Sequence, residues 1–116
     1  MSDVLAQLVD EVRSDAASLG LILHGSRATG DHRADSDYDL IRVVTDDAYE
    51  GRKATRTLLE RRESDDGPQA DVLHQGVGRL KWLAEHPGWW TATYATARII
   101  VDKDGDIDRQ IGRAHV

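Results

Sequence analysis

Hydrophobic residues recur at two different spacings along the first half of the chain. Residues 3–19 carry apolar side chains every three or four positions, which predicts an amphipathic helix that ends at Gly20. A short apolar run at 21–23 predicts a buried strand, residues 37–44 predict a second strand, and the segment between them is rich in Gly and Asp and predicts a loop. The first half of the chain therefore predicts helix, strand, loop, strand.

The second half continues the alternation of helical and extended patterns. It predicts a helix over 49–62, a loop over 64–68, a strand over 70–75, helices over 77–85 and 88–97, a strand over 98–102 and a last short helix. The helix over 49–62 has a strongly basic face made of Arg52, Lys53, Arg56, Arg61 and Arg62. This order of elements predicts one α/β (α+β) domain over residues 1–116, with a small mixed β-sheet flanked by helices.

Composition and charge exclude several classes of protein. The chain of 116 residues has no cysteine, which excludes disulfides, zinc-thiolate sites and thiol nucleophiles. Neither a signal peptide nor an apolar stretch of roughly 20 residues is present, so we expect a cytoplasmic protein that does not enter the membrane. A formal net charge of −6 argues against general binding to nucleic acid.

Four aspartates, Asp31, Asp35, Asp37 and Asp39, fall within nine residues. Such a cluster repels itself unless it is spread into solvent or neutralised by cations. Asp37 and Asp39 are two positions apart on a predicted strand, so their side chains point to the same face. Two carboxylates on one face are suited to binding a pair of Mg²⁺ ions, as two-metal transfer of a phosphoryl group requires. The alternative is a solvated acidic loop with no metal.

A phosphate-binding turn is predicted just before the acid cluster. The apolar strand ends at His24, and Gly25 and Ser26 follow it into a short helix. Glycine allows a phosphate to approach the backbone, and the start of a helix offers N–H groups to an anion. Ser26 adds a hydroxyl and Arg27 adds positive charge. Asp71, at the start of a neighbouring strand, is the natural third carboxylate, and we expect the three carboxylates to lie within reach of one ion.

The combined pattern resembles the signature of nucleotidyltransferases of the DNA polymerase β superfamily. The matching residues are Gly25-Ser26, a gap of ten residues from Arg27 to Ser36, and Asp37-Tyr38-Asp39-Leu40. The resemblance implies transfer of a nucleoside monophosphate, AMP from ATP or another nucleoside triphosphate, to a hydroxyl with two Mg²⁺ ions. It implies that Asp37, Asp39 and Asp71 are the catalytic metal ligands. Gly25, Ser26 and Arg27 would hold the triphosphate.

The resemblance also raises the question of the acceptor. Larger relatives carry a helical domain that helps to hold the base and the acceptor, and this chain ends at Val116. We therefore expect a partner protein or a second copy to complete the site, as in the minimal nucleotidyltransferases that act as antitoxins beside a HEPN-type toxin. A small-molecule enzyme resembling aminoglycoside nucleotidyltransferases, and a catalytically silent binding module, are the two alternatives.

Two other motifs fail, one on spacing and one on the identity of a required residue. The acidic segment 102–108 suggests a calcium loop, but its Gly comes too early for an EF-hand and position twelve is Arg113. The spacing of Gly25 and Gly30 suits a P-loop, but Asp31 follows where that motif requires Lys.

The adjacent Trp89 and Trp90 point in different directions on a helix, so we expect at least one of them to be partly exposed.

Overall fold

Helices and strands alternate along the chain. The computed structural model describes residues 4–31, 33, 36–65 and 67–114, and for 112–114 it describes the backbone only. In chain order the elements are α1 (Val4–Ser14), β1 (Ser18–His24), α2 (Ser26–Thr29), β2 (Tyr38–Val44), α3 (Asp46–Ala54), β3 (Leu59–Arg62), β4 (Ala70–Gly76), α4 (Val77–Glu85), α5 (Thr91–Ala95), β5 (Arg98–Asp102) and α6 (Asp106–Ala114). None of these helices is long and apolar enough to cross a membrane.

The five strands form one sheet in the order β3-β4-β2-β1-β5. β2 and β4 run parallel to each other, while the pairs β1–β2, β1–β5 and β3–β4 are antiparallel. The sheet is therefore mixed, and the predicted α+β class is confirmed.

Each face of the sheet has its own hydrophobic core, because alternate residues of a strand point to opposite sides. On one face, Leu21, Leu40 and Val72 pack with Leu8 and other residues of α1. On the other face, Ile22, Ile41 and Val43 pack with residues of α4, α5 and α6. Asp39 shares the parity of Ile41 and so lies on the second face, and Asp37, just before β2, is joined to that face by Arg61, which contacts both Asp37 and Asp71.

The first helix is shorter than the prediction over 3–19. α1 ends at Ser14 because the carboxylate of Asp15 accepts the N–H of Ala17 at 3.2 Å and the hydroxyl of Ser18 at 2.8 Å, an arrangement that competes with the helix. Gly20 lies inside β1 rather than at a helix end. A Cβ atom there would lie 2.1 Å from Ile107 of α6, so this glycine allows close packing of strand and helix.

The helix predicted over 49–62 was wrong in its second half. α3 ends at Ala54, Arg56 has a positive φ of 58°, and the chain then forms the edge strand β3. The predicted basic face is consequently divided: Arg61 and Arg62 are neighbours on a strand and point to opposite sides of the sheet. The cause is pairing with β4, a contact between distant residues that the local sequence pattern did not reveal.

The other predicted elements are present with smaller changes. The predicted strand over 37–44 begins at Tyr38, and the helix predicted over 88–97 is limited to α5. Trp89 and Trp90 therefore precede that helix, and Trp89 is 85% exposed, which confirms the expected exposure of at least one of the two.

A network of charges joins α1 to the sheet on the first face. Arg42 is almost fully buried and donates to Ser18 at 2.8 Å and to Asp15 at 3.0 Å, while Arg62 of β3 pairs with Glu11 at 2.5 Å. The Arg62 guanidinium holds the pKa of the Glu11 carboxyl below its ordinary value. These contacts connect elements that are far apart in sequence.

A buried imidazole extends the same network along β4. His74 Nε2 donates to Glu60 at 3.0 Å, and Glu60 also pairs with Arg62 at 3.1 Å. Burial lowers the pKa of His74, and the Nδ1 atom is buried without a partner among the described residues. Protonation of Nδ1 would bury an unpartnered N–H, so His74 is held neutral.

Candidate active site

Gly25 forms the turn between β1 and α2 and has a φ of 75°, a conformation that favours glycine. A Cβ atom at this position would lie only 2.6 Å from the carboxylate oxygen Oδ2 of Asp39. Any other residue would therefore require either the turn or the Asp39 carboxylate to move. α2 begins at Ser26, and the first N–H groups of a helix have no carbonyl partner within it. The turn thus brings helix-start donors next to a carboxylate.

The strand register extends this arrangement across three strands. Asp39 on β2 is the partner of His24 on β1, the residue before the turn, and of Asp71 on β4. Neighbouring strands lie about 4.8 Å apart, and residues in register point to the same face. Asp39 therefore stands between Gly25 and Asp71, with Asp37 two positions before it. The sequence-predicted turn and acids occupy one edge of one face.

Arg61 of β3 completes this edge. Its two terminal nitrogens donate to Asp71 Oδ1 at 2.7 Å and to Asp37 Oδ2 at 3.1 Å, and one of them also donates to Gln69 Oε1. Its pKa is raised, first by the hydrogen bond to Asp71 and then by the one to Asp37. All three charged side chains of this Asp37–Arg61–Asp71 cluster are 39–45% exposed. The cluster is therefore open to solvent and to ligands.

Residues 5–86 match the nucleotidyltransferase domain family. The chain belongs to this family. The match begins in α1 and ends just after α4, so it contains the turn, all three acids and Arg61. No curated protein matches the chain. Family membership assigns the chain nucleotidyl transfer as its class of reaction, and it confirms the predicted resemblance.

Three aspartates of the nucleotidyltransferase do not converge as expected. Within residues 4–31, 33, 36–65 and 67–114, no three acidic or histidine side chains are close enough to hold one metal ion. The reason is visible at Asp37 and Asp71, where the guanidinium of Arg61 lies between the two carboxylates and neutralises them. Asp35, which belongs to the acid cluster in the sequence, lies outside the described residues.

The donor set nevertheless suits Mg²⁺, which prefers carboxylate oxygen and uses few protein ligands. Asp39 and Asp71 are in register and Asp37 lies two residues before Asp39 on the same face. Movement of Arg61 away from this edge would leave two carboxylates without their present partner. The chemistry of these carboxylates therefore fits Mg²⁺, provided that Arg61 gives up its present place between Asp37 and Asp71.

Arg27, predicted to bind triphosphate, is engaged within the nucleotidyltransferase fold. Its Nε donates to the carbonyl of Ser36 at 2.8 Å, and its guanidinium stacks on the ring of Tyr38 at 4.3 Å. These contacts hold the end of the loop that leads into β2. Asp37 follows Ser36 directly, so Arg27 positions the first acid. A role in binding phosphate stays a prediction for Arg27 and for the half-buried Ser26.

Sequence reasoning missed the role of Arg61, which it had assigned to a helix. The usable signal was the loop over 64–68, because a short loop between two extended segments indicates a hairpin. If 59–62 had been interpreted as the first strand of that hairpin, Arg61 would have fallen opposite Asp71. His24 is the second residue missed. It is half-buried beside Asp39, and burial lowers its pKa, so it is neutral near pH 7.

Proposed function

We propose that this nucleotidyltransferase moves AMP from ATP to a hydroxyl group on a partner protein, with Mg²⁺ as cofactor. The observation that carries the proposal is the line formed by Gly25, Asp39 and Asp71 across three neighbouring strands. A phosphate-binding turn at one end of this line and a carboxylate at the other leave room for the reacting phosphorus between them. Nucleotidyl transfer needs both parts on one face.

The reaction forms one bond and breaks one bond at the α-phosphorus. The acceptor oxygen attacks this atom, the bond to the oxygen that bridges the α- and β-phosphates breaks, and pyrophosphate leaves. Asp71 accepts the proton of the acceptor hydroxyl, and the turn at Gly25 and Ser26 holds the β- and γ-phosphates. Bound Mg²⁺, held by Asp37, Asp39 and Asp71, would supply neutralisation of the charge on the phosphates.

A protein acceptor is supported by the surface around the site. Trp89 is 85% exposed, Trp82 is 41% exposed, and Leu59 on the edge strand β3 is 70% exposed. Large exposed aromatic residues are enriched at interfaces between proteins. A partner that covers this surface would exclude water and orient the attacking hydroxyl. A HEPN-type toxin with the chain as its antitoxin fits this role, and a second copy of the chain is the other candidate.

The test is co-purification of the chain with its binding partner, followed by incubation with ATP and Mg²⁺. ATP labelled at the α-phosphorus should label the partner, while ATP labelled at the γ-phosphorus should not, because pyrophosphate leaves. Mass spectrometry of the partner should show the addition of one adenylyl group on a Ser, Thr or Tyr side chain. Omission of Mg²⁺ should abolish the label.

Two variants sharpen the experiment. Asp39→Asn should prevent labelling, while Asp31→Asn changes the same charge at an exposed carboxylate that accepts a hydrogen bond from Thr29 and should not. Transfer from ATP to an aminoglycoside by the chain alone, without transfer to any protein, would contradict the protein acceptor. Label from the γ-phosphate would contradict nucleotidyl transfer itself.

A further inference from the structure

A cavity of about 300 Å³ lies beside the acids on the same face of the sheet. Its floor includes Ile41 and Leu73, which lie two residues beyond Asp39 and Asp71 on the same strands, about 7 Å further along. His24, the partner of Asp39, also lines it. The cavity is therefore continuous with the predicted position of the reacting phosphorus, and a ligand bound at the acids extends into it.

Aromatic side chains form one wall of this cavity. Trp89, Trp90 and Tyr94 come from the turn before α5 and from α5 itself. Trp90 is anchored, since its Nε1 donates to the carbonyl of Leu83 at 3.0 Å, and Trp89 meets its ring edge-on with the centroids 5.5 Å apart. Trp89 is open to solvent, so its ring is available to a ligand. A wall of this kind stacks on planar rings.

The polar groups of the cavity narrow the choice of ligand. Gln75 lines it, and its buried amide nitrogen has no hydrogen-bond partner among the described residues. Arg79 supplies a positive charge, and no described carboxylate lines the cavity. A polycationic acceptor such as an aminoglycoside has no anionic group to bind here. A volume of about 300 Å³ lies at the small end of ligand cavities, which suits one planar heterocycle.

We infer that this cavity holds the purine base of the nucleoside triphosphate, stacked on Trp89 and hydrogen-bonded by Gln75. The inference rests on the proposed function, because the acids and the turn must hold the triphosphate for its base to reach the cavity. An amide that presents a donor and an acceptor matches the edge of adenine, which offers N6–H and N7. The acceptor then approaches from the open side of the acids.

The experiment compares two probes in the presence of Mg²⁺. The first is inorganic tripolyphosphate, which can occupy the turn and the metals but has no base. The second is an ATP analogue with a methylene bridge between the α- and β-phosphates, which binds without reacting. Calorimetry measures both affinities, and tryptophan fluorescence reports stacking. Wild type should bind the ATP analogue more tightly than tripolyphosphate, and only the ATP analogue should quench the fluorescence.

Trp89→Ala is the first variant, because this side chain is exposed and its removal leaves the core intact. It should weaken binding of the ATP analogue by about 5- to 100-fold, the range found when a stacking aromatic residue is removed, and leave tripolyphosphate unaffected. Thr96→Ala is the control, since Thr96 is exposed at the end of α5 and does not line the cavity. It should change neither affinity.

Gln75→Leu gives a second readout. Because the amide nitrogen has no partner in the free protein, its replacement should keep or raise the thermal stability while it weakens binding of the ATP analogue by about 3- to 10-fold. Equal loss of both probes in Trp89→Ala, or no loss of either, would overturn the inference and leave the proposed function standing. Failure of tripolyphosphate to bind wild type with Mg²⁺ would overturn both.

Discussion

Arg61 and Arg62 are adjacent on β3, yet they belong to two ion networks with opposite character. Arg62 points to the first face, where it pairs with Glu11 and Glu60 beside the buried Arg42. Arg61 points to the second face, where it pairs with Asp37 and Asp71 in solvent. Side chains in the first network link α1 to the sheet, whereas those in the second lie at the exposed edge that carries the candidate site.

Burial accounts for this difference between the two networks. The Arg42 side chain is 8% exposed. Loss of the carboxylates that pair with it would leave a buried cation without a partner, which costs several kcal/mol of stability. The Arg61 side chain is 45% exposed, and exposed ion pairs contribute little to stability. The first network can therefore hold the fold together, and the second can be opened by a competing cation at little cost.

The largest effect is expected for Asp39→Asn. Asp39 is a metal ligand in the proposed function, so its loss should lower the rate of nucleotidyl transfer by about 10³-fold or more, since a bound metal contributes several kcal/mol to the transition state. The melting temperature without Mg²⁺ should hold or rise, because a repelling charge is removed. Rate and thermal melting are measured on the same preparation beside Asp31→Asn. A large drop in melting temperature would mean that Asp39 is structural.

Arg42→Met should lower stability and leave the rate of transfer unchanged, the opposite of what is expected for Asp39→Asn. This change removes the hydrogen bonds to Ser18 and Asp15 and the contact with Glu11, which should lower the free energy of unfolding by about 2–3 kcal/mol. Urea denaturation measures the change. The rate per folded molecule should stay the same. Arg61→Met is the matched control and should move the melting temperature by only about 2 °C or less.

Stability should also depend on pH through the first network. Burial lowers the pKa of His74 from 6.5, so the unfolded chain binds a proton at a higher pH than the folded chain. The free energy of unfolding should therefore fall as the pH drops below about 6.5. Glu11 and Glu60 have a pKa below the ordinary 4.5, and their contribution is present above that pH and lost at lower pH.

His74→Gln separates these two steps. It should make the decrease between pH 7 and pH 5 shallower, while the decrease below pH 4.5 remains. Some slope should persist above pH 5, because burial also lowers the pKa of His24. Denaturation at a series of pH values measures both steps. An unchanged slope above pH 5 in the variant would show that the pKa of His74 is the same in the folded and the unfolded chain.

The smallest effect is expected at the exposed network. Arg61→Gln removes the cation that lies between Asp37 and Asp71, so Mg²⁺ should bind the free protein more tightly, by about fivefold at most, since exposed ion pairs are weak. Titration calorimetry without nucleotide measures this affinity. Arg52→Gln, an arginine of α3 outside the acid cluster, is the control and should leave the affinity unchanged. Weaker Mg²⁺ binding by the Arg61 variant would contradict competition.

Local pattern was sufficient for the parts of the site that depend on short spacing. The period of two places Asp37 and Asp39 on one face, and the contacts of Arg61 with Asp37 and Asp71, the register partner of Asp39, agree with this. A Gly after an apolar strand predicts the turn at Gly25, and the positive φ of Gly25 agrees with it. The choice of Asp71 rested on a predicted strand over 70–75, and β4 sets it beside Asp39. In each case neighbouring residues carry the information.

Long-range pairing decided what the local pattern left open. Residues 59–62 have a sequence that suits a helix, and only the hydrogen bonds to β4 make them a strand, which turns Arg61 toward the acids and Arg62 toward α1. The cavity beside Asp39 likewise depends on where α5 packs, since Trp89 and Trp90 come from a turn that the sequence predicted as helix. Spacing along the chain determined which residues share a face. The pairing of distant strands and helices, whose energy comes from packing and hydrogen bonds between remote segments, determined which charges and rings meet.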